Sequence, residues 1–312
     1  MEYLVLGNSN LKVSRLCMGG CPMGGYGWGA VQKNELVDAV KQALNSGVNF
    51  FDTADIYGLG QSELTLAEGL GDKRKDAVIQ TKFGVRVENG RTFYDNSPDY
   101  IEQALNLSLK RLKTDYIDIF TIHYRDGITP ISEVVAKMNS LQKEGKIRYF
   151  GLSNIHKNEI NEFLPYKNQF VDCQDEYSLA CRQNETDLIK AQTILGVTPL
   201  TWGSLGQGVL TGKYTKDNIR FNQDDRRSRD VYVNFHGDKF EKNLIIVERL
   251  KEISLSHGKS VSACAIRFIL DKIKNSVVIA GIKRPSQLIA NIESMDWNLS
   301  GEELLILDKV SL

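Results

Sequence analysis

Four polar residues of types that transfer protons each lie at or just beyond the end of a short apolar run. In chain order they are Asp52, Tyr57, Lys82 and His123. If the apolar runs are parallel strands of one barrel, their C-terminal ends meet at one face, where such barrels hold their catalytic groups. The four side chains would then surround one carbonyl oxygen. The chemistry that they suit is protonation of that oxygen while its carbon accepts hydride.

Each of the four residues has an expected role in that chemistry. Tyr57 supplies the proton, although a phenol has an unperturbed pKa of about 10 and must be tuned. We expect the ammonium of Lys82 to lower the pKa of Tyr57, because a nearby positive charge favours phenolate. Asp52 would keep Lys82 charged, since an unpaired buried ammonium tends to lose its proton. His123 would donate a hydrogen bond that polarises the carbonyl.

Taken singly, these residues have ordinary explanations. Asp52 suits a turn cap, Lys82 a surface charge, and His123 a strand-end histidine with satisfied hydrogen bonds, while Tyr57 suits simple packing. Their occurrence together at the ends of three consecutive apolar runs favours the functional interpretation.

The elements that must position these residues alternate between strand and helix from about residue 15 to residue 293. Apolar runs predict eight strands, each followed by a helix or a loop: 15–18, 48–51, 77–81, 116–122, 147–151, 169–173, 197–201 and 275–279. A continuous strand–helix rhythm favours parallel strands with helices outside. We therefore predict an α/β fold, a single (β/α)₈ TIM barrel domain over residues 1–312. An N-terminal hairpin over 3–13 would plug its bottom, and a C-terminal helix would follow Ser300.

Composition restricts the possible partners. Lys plus Arg and Asp plus Glu both total 39, so no basic surface suggests nucleic acid. The five cysteines show no Cys-x-x-Cys pair, which argues against a disulfide framework or a metal site. With neither a signal peptide nor a membrane-spanning apolar run in the sequence, we expect a cytoplasmic protein that acts on a small molecule.

Two segments leave alternatives open. Residues 203–239 form a long polar insertion, which is either a solvated loop or a lid over the site. Residues 25–30 match Gly-x-Gly-x-x-Ala, with Asp52 about twenty residues later, as in a Rossmann dinucleotide site. That context is poor, because Pro22 and several glycines separate the motif from the preceding strand.

Longer motifs around the four residues resemble the aldo-keto reductases. They are Asp52-Thr-Ala-x-x-Tyr57-Gly58, Lys82, Ile122-His123 and Gly151-Leu-Ser153-Asn154. The resemblance covers nearly the whole chain and is closest to the bacterial stress-response and inositol-utilisation branch. It implies a (β/α)₈ barrel that binds NADP(H) and reduces carbonyls, with Tyr57 as general acid and base. A redox-sensing regulatory subunit, as in the barrel subunits of some potassium channels, is the alternative within the same fold.

The predicted cofactor site follows the later strands. Ser153, Asn154 and Gln174 suit a carboxamide, and Trp202 offers a flat face to a nicotinamide ring. The small residues between Ser204 and Gly208, together with Lys213, suit a pyrophosphate. Lys283, near a helix N-terminus, suits a 2′-phosphate and so favours NADP over NAD. The remaining predicted cofactor residues are Gly20, Ser204, Leu205, Gly208, Lys213, Gly281, Gln287 and Asn291.

The predicted substrate wall consists of aromatic residues. Tyr26 and Trp28 follow the first strand, and Tyr124 follows His123. They give an apolar pocket for a small carbonyl or alcohol. Trp202 stands where the resembled family usually has tyrosine, which exchanges one flat ring for another.

Overall fold

The computed structural model describes residues 1–157 and 159–312. Within these residues, eight parallel strands close into a barrel in chain order, the last pairing with the first. The barrel strands are β3 (Leu16–Gly19), β4 (Phe50–Asp52), β5 (Val78–Phe83), β8 (Ile117–Ile122), β9 (Ile147–Ser153), β10 (Phe170–Glu176), β11 (Thr198–Trp202) and β12 (Val277–Gly281). The (β/α)₈ prediction is confirmed, and the Rossmann hypothesis is wrong because no open sheet exists among these strands.

Helices surround the barrel, and each buries part of its surface. They are α1 (Lys33–Asn45), α2 (Gln61–Leu70), α3 (Pro98–Leu112), α4 (Ile131–Lys143), α5 (Glu159–Glu162), α6 (Glu185–Leu195), α7 (Gly237–Ser256), α8 (Val261–Lys272), α9 (Pro285–Ile292) and α10 (Gly301–Ser311). Local signals set several of their ends. The Ser97 side chain accepts from the backbone N–H of Tyr100 at the start of α3, and Ser300 forms a capping box with Glu303 at the start of α10.

The bottom of the barrel is closed by the predicted N-terminal hairpin. Strands β1 (Tyr3–Val5) and β2 (Lys12–Ser14) pair antiparallel. Leu6 and Leu11 are buried in the same apolar cluster as Phe50 and Leu200 of the barrel strands. The apolar plug leaves the C-terminal ends of the strands as the open face of the barrel.

A second hairpin, which the sequence analysis did not predict, rises from the top of the barrel. Strands β6 (Val85–Glu88) and β7 (Arg91–Tyr94) pair antiparallel between β5 and α3. Asn89 and Gly90 connect them with φ values of 51° and 75°. An Asn-Gly pair flanked by alternating residues is a strong hairpin signal, because both central residues of the turn need positive φ.

The long insertion after β11 is ordered. Three 3₁₀ turns, at Gly206–Thr211, Arg226–Ser228 and Val233–Phe235, lead into α7. The segment 224–230 packs against the loop between β3 and α1 rather than facing solvent throughout. Within the described part of the chain, none of the helices is long and apolar enough to cross a membrane.

Candidate active site

A buried ion pair lies at the centre of the open face of the barrel. Lys82 Nζ donates to both carboxylate oxygens of Asp52, at 2.8 and 2.6 Å, and to the backbone carbonyl of Thr53 at 2.9 Å. The side chains of Lys82 and Asp52 are 1% and 5% exposed. Three acceptors therefore use all three N–H groups of the ammonium. Asp52 keeps Lys82 in place, as the sequence analysis expected.

Tyr57 and His123 lie beside this pair. Lys82 Nζ is 5.1 Å from the centroid of the Tyr57 ring. The rings of Tyr57 and His123 meet edge to face, with centroids 5.8 Å apart. The structure thus brings together the four residues that the sequence singled out, although they come from the ends of three different strands.

The acidity of Tyr57 differs from the expectation. Burial raises the pKa of Tyr57 well above its ordinary value, and the carboxylate of Asp52 raises it further. The charge of Lys82, which is paired with Asp52 at hydrogen-bond distance, does not outweigh these two causes. The expected lowering of the pKa is therefore wrong for this structure. The phenol stays protonated at neutral pH, which is the form that a proton donor needs.

His123 is an uncharged imidazole in this site. Burial lowers the pKa of His123 well below its ordinary value, and the nearby ammonium of Lys82 lowers it further. A neutral imidazole carries one N–H, which is enough to donate a single hydrogen bond to a carbonyl oxygen.

The residues predicted for a carboxamide lie on the adjoining strands. Gln174 Nε2 donates to Asp52 Oδ2 at 2.7 Å. Asn154 Nδ2 donates to the backbone carbonyl of His123 at 3.0 Å and to Ser153 Oγ at 2.9 Å. These contacts orient both amides and leave their oxygens free to accept from a carboxamide NH₂. The pair fits the polar end of a nicotinamide.

A polar layer lies one level deeper in the barrel. Gln80 Nε2 donates to Asp172 Oδ1 at 2.9 Å and to Thr121 Oγ1 at 2.7 Å. A Cβ on Gly151 would lie 2.4 Å from that threonine oxygen, so only glycine fits. Asp172 is fully buried, and burial raises its pKa well above the ordinary value despite the hydrogen bond from Gln80. Burial therefore favours the protonated form of this carboxyl in the folded protein.

Asp172 should make the stability depend on pH. Above pH about 4 it ionises more readily in the unfolded chain than in the folded one, so rising pH favours unfolding. We expect Asp172→Asn to remove this loss of stability at higher pH. Its free energy of unfolding, relative to the wild type, should rise by up to about 1.4 kcal/mol per pH unit as the pH increases above about 4. Urea denaturation of both proteins at several pH values measures the difference, and parallel pH profiles would contradict it.

A group of cations lies at the edge of the open face. Burial lowers the pKa of Lys283 to about 8, with further lowering by the charges of Arg227 and Lys213 and a smaller contribution from Arg284. Asp225 is the acidic partner here, and it accepts from Arg227 Nη2 at 2.5 Å. Crowded positive charge of this kind is relieved by a bound phosphate. The group fits a phosphate.

The insertion after β11 contacts the loop after β3, two strands along the barrel. The backbone N–H of Arg226 donates to the carbonyl of Gly27 at 3.0 Å. Arg227 Nη2 donates to the carbonyl of Trp28 at 3.4 Å, and the Trp28 ring contacts Tyr232 edge to face at 5.9 Å. We call this contact between the two loops the clasp. It shows that the insertion is not a wholly solvated loop, and the lid alternative stays a prediction.

Five of the other predicted cofactor residues lie close together in the chain, between the end of β11 and residue 213. The indole Nε1 of Trp202 is buried without a hydrogen-bond partner within residues 1–157 and 159–312. Ser204 donates to a backbone carbonyl of β11 at 2.8 Å, and Leu205 precedes a 3₁₀ turn. Gly208 has φ of 105°, a conformation that favours glycine. The amine of Lys213 lies 4.7 Å from the centroid of the Tyr214 ring. All five stay predictions as cofactor contacts.

The remaining predicted cofactor residues divide between β12–α9 and the loop after β3. Gly281 ends β12, and Gln287 Oε1 accepts from the backbone N–H of Lys283 at 2.8 Å. Asn291 is buried, and its Nδ2 has no partner in the part of the chain that the structure describes. Gly20 is packed so closely that a Cβ would lie 2.8 Å from the carbonyl of Asp52. Close packing alone accounts for glycine at that position.

The predicted substrate residues have different surroundings. Tyr124 stacks on His123, with centroids 5.0 Å apart and an angle of 26° between the rings. Tyr26 is half exposed and lies under the guanidinium of Arg226, 4.9 Å from its ring centroid. Trp28 belongs to the clasp. The structure thus brings Tyr124 into the catalytic group, whereas Tyr26 and Trp28 contact the insertion.

Sequence reasoning missed two features of the site. Arg227 lies within the polar insertion 203–239, for which a solvated loop and a lid were both left open, yet its side chain is buried and donates to the Tyr214 hydroxyl at 2.7 Å. Tyr94 of the β6–β7 hairpin stacks on Tyr124, with centroids 5.2 Å apart. The Asn89-Gly90 pair was a signal for that hairpin, but no local signal marks Arg227.

Comparison with known proteins decides the family. The model of the Aldo/keto reductase family matches residues 15–312. The chain belongs to the aldo-keto reductase family. It is 32% identical to aldo-keto reductase YhdN of Bacillus subtilis (strain 168), over 97% of this chain and 91% of that protein. The solved glycerol dehydrogenase AKR11B4 from Gluconobacter oxydans has a TM-score of 0.88 at 30% identity, covering 99% of this chain and 94% of that one.

Other relatives of this aldo-keto reductase differ in cofactor and role. The NADH-specific methylglyoxal reductase of Escherichia coli (strain K12) is 28% identical over 100% of this chain and 98% of that protein. Aldo-keto reductase yakc [NADP(+)] of Schizosaccharomyces pombe is 31% identical over 91% of this chain and 83% of that protein. A probable voltage-gated potassium channel subunit beta of Oryza sativa subsp. japonica is 32% identical, over 95% of this chain and 92% of that protein.

Proposed function

We propose that this aldo-keto reductase reduces aldehydes or ketones to alcohols with NADPH, and catalyses the reverse reaction with NADP⁺. Membership of an oxidoreductase family supports carbonyl reduction. The observation that carries the proposal is the convergence of a protonated Tyr57, a neutral His123 and the Lys82–Asp52 pair at the open face of the barrel.

The residues of the chain divide the work on the carbonyl between them. Gln174 and Asn154 would hold the carboxamide of a bound nicotinamide cofactor, which would supply the hydride for the carbonyl carbon. As the C=O π electrons move to oxygen, the Tyr57 hydroxyl gives its proton to that oxygen. His123 donates a hydrogen bond to the same oxygen and orients it. Lys82 places positive charge beside the phenolate that remains, until water reprotonates it.

The cations at the edge of the site support the phosphate-bearing cofactor. Lys283 is half buried among positive neighbours, an arrangement that a dianionic phosphate would stabilise. A bare ribose diol offers no charge to balance this group. One named relative is NADH-specific and another is named for NADP(+), so support for NADP must come from residues of this chain rather than from the family.

Lys283→Ala tests the cofactor choice. We expect the affinity for NADPH to fall about 10- to 100-fold, because a charge-assisted contact to phosphate contributes about 1.5–3 kcal/mol. The affinity for NADH should change less than about 3-fold. Fluorescence titration with both cofactors measures this, with Lys274→Ala, near the N-terminal end of β12, as the control. Equal losses for the two cofactors would rule out the phosphate contact.

A regulatory role is the second candidate, because one relative is named as a potassium channel subunit. Steady-state oxidation of NADPH with a reactive aldehyde separates the two candidates. Turnover of about 1 s⁻¹ or more is typical of a dedicated enzyme. Tight NADPH binding with turnover below about 0.01 s⁻¹ would favour a sensor.

We also propose a cytoplasmic location and a small carbonyl or alcohol as the partner. The five cysteines of the sequence are unpaired in the described structure, and Cys17, Cys173 and Cys264 are buried. Reduced thiols are the rule in a reducing compartment.

A further inference from the structure

A continuous series of rings connects the catalytic group to the β6–β7 hairpin. Tyr57 meets His123 edge to face at 5.8 Å. His123 stacks on Tyr124 at 5.0 Å, and Tyr124 stacks on Tyr94 at 5.2 Å with 31° between the ring planes. Tyr94 is the outermost ring and is 51% exposed. The inner rings belong to the proposed proton-transfer site, whereas nothing in the reaction itself requires the outer one.

The hairpin is attached to the loop that carries His123 and Tyr124. Asn96, at the base of the hairpin, is fully buried and donates through Nδ2 to the carbonyl of Tyr124 at 3.0 Å. Its Oδ1 accepts from the backbone N–H of Asp126 at 2.9 Å and from Arg125 Nη1 at 3.0 Å. A buried amide with satisfied donor and acceptor fixes one backbone against another. The hairpin and the loop therefore form one unit.

The orientation of the His123 ring depends on this stacking. Its Nδ1 is buried and has no hydrogen-bond partner among residues 1–157 and 159–312. In many sites a hydrogen bond at the second ring nitrogen sets the tautomer and the ring angle. Here the edge contact with Tyr57 and the face contact with Tyr124 are what hold the ring. Rotation of Tyr124 would release one of these two contacts.

We propose that Tyr94 is a positioning residue for His123: by stacking on Tyr124 it keeps that ring against the imidazole and keeps water from the imidazole face. The inference rests on the proposed function for its effect on turnover. Its structural part, the burial and orientation of His123, holds whatever the reaction is. The β6–β7 hairpin would then help to position a residue of the active site.

The groups around His123 define what a titration will report. Lys82 from β5 and the Tyr57 phenol from the loop after β4 face the ring, and Tyr124 covers it from its own loop. Burial and the neighbouring Tyr94 raise the pKa of Tyr124 to about 12, so Tyr124 stays neutral over the range in which a histidine titrates. Admission of water to the imidazole face would raise the pKa of His123 toward its ordinary value.

The experiment compares Tyr94→Ala with Phe93→Ala, its exposed neighbour on the same strand, and with Tyr94→Phe. The chain has four histidines, so the ring signals of a histidine-labelled protein are few, and loss of a signal in His123→Gln assigns the one of interest. We expect the His123 pKa to rise in Tyr94→Ala. We also expect kcat to fall about 2- to 10-fold, the equivalent of one aromatic pair, with the KM for NADPH unchanged. In Tyr94→Phe, which keeps the ring, the His123 pKa and kcat should both match the wild type.

The same measurements can overturn the proposal. If Tyr94→Ala leaves the His123 titration at the wild-type position, or if Phe93→Ala moves it equally, Tyr94 does not position the ring. If only the KM for the carbonyl changes, Tyr94 is a substrate contact instead. Because the titration needs no turnover, the proposal can fail or stand independently of the assigned activity, which Tyr57→Phe tests.

Discussion

Tyr57→Phe should lower turnover with a reactive aldehyde by about 10²- to 10⁴-fold, the usual contribution of a positioned general acid. The substitution removes only the hydroxyl that donates the proton. A phenylalanine ring at this position would keep the edge contact with His123, since that contact involves ring atoms. NADPH should therefore bind as it does to the wild type. Steady-state NADPH oxidation gives the rate, and fluorescence titration gives the affinity.

Tyr100→Phe is the matched control for this prediction. The Tyr100 hydroxyl donates to the carbonyl of Val85 at 3.1 Å, away from the Lys82–Asp52 pair. Its removal should leave turnover within about 2-fold of the wild type, as for a surface-level change. If Tyr57→Phe kept more than about a tenth of the wild-type rate, Tyr57 could not be the proton donor, because a lost general acid costs at least about 100-fold.

Lys82→Met should damage both stability and turnover. It leaves the buried carboxylate of Asp52 with Gln174 as its remaining side-chain donor. Removal of one partner from a buried ion pair costs about 3–5 kcal/mol in the free energy of unfolding. Turnover should fall by about 10²-fold or more, because the charge that stabilises the developing phenolate is lost. Urea denaturation and NADPH oxidation measure the two effects.

The double variant Asp52→Asn/Lys82→Met separates these two effects. Without the carboxylate no buried charge remains unpaired, so most of the lost stability should return. Turnover should stay low, because the neutral amide and thioether side chains that replace the ion pair supply no positive charge. Recovery of turnover together with stability would mean that Lys82 has a structural role alone.

The sequence predicted the barrel well because strands in a closed parallel barrel are apolar and uninterrupted. The predicted runs at 77–81, 116–122 and 197–201 each fall within two residues of β5, β8 and β11. Polar residues at the ends of such runs must lie on the open face, so Asp52, Lys82 and His123 were predictable as a group. Chain order alone sufficed for this part of the site.

The loops were harder to predict because contacts between distant residues determine them. The clasp joins Arg227 to Trp28, 199 residues earlier in the chain, and no local pattern encodes that pairing. The predicted lowering of the Tyr57 pKa was also wrong, for a physical reason. The sequence names the ammonium of Lys82 as a neighbour, but only the structure shows that it is paired with Asp52 at 2.6 Å and that burial dominates the pKa of Tyr57.

The turn at Asn89-Gly90 offers a place to add new segments to the protein. Residues 87–94 are exposed, while the anchors at Gly84 and Asn96 lie at the other end of the hairpin. Exposed loop tips of this kind accept inserted domains most readily. A ligand-responsive domain spliced into this turn would pull on the two strands that end beside Tyr124. Binding of its ligand would then be read out as a change in reductase rate, which would turn the enzyme into a biosensor.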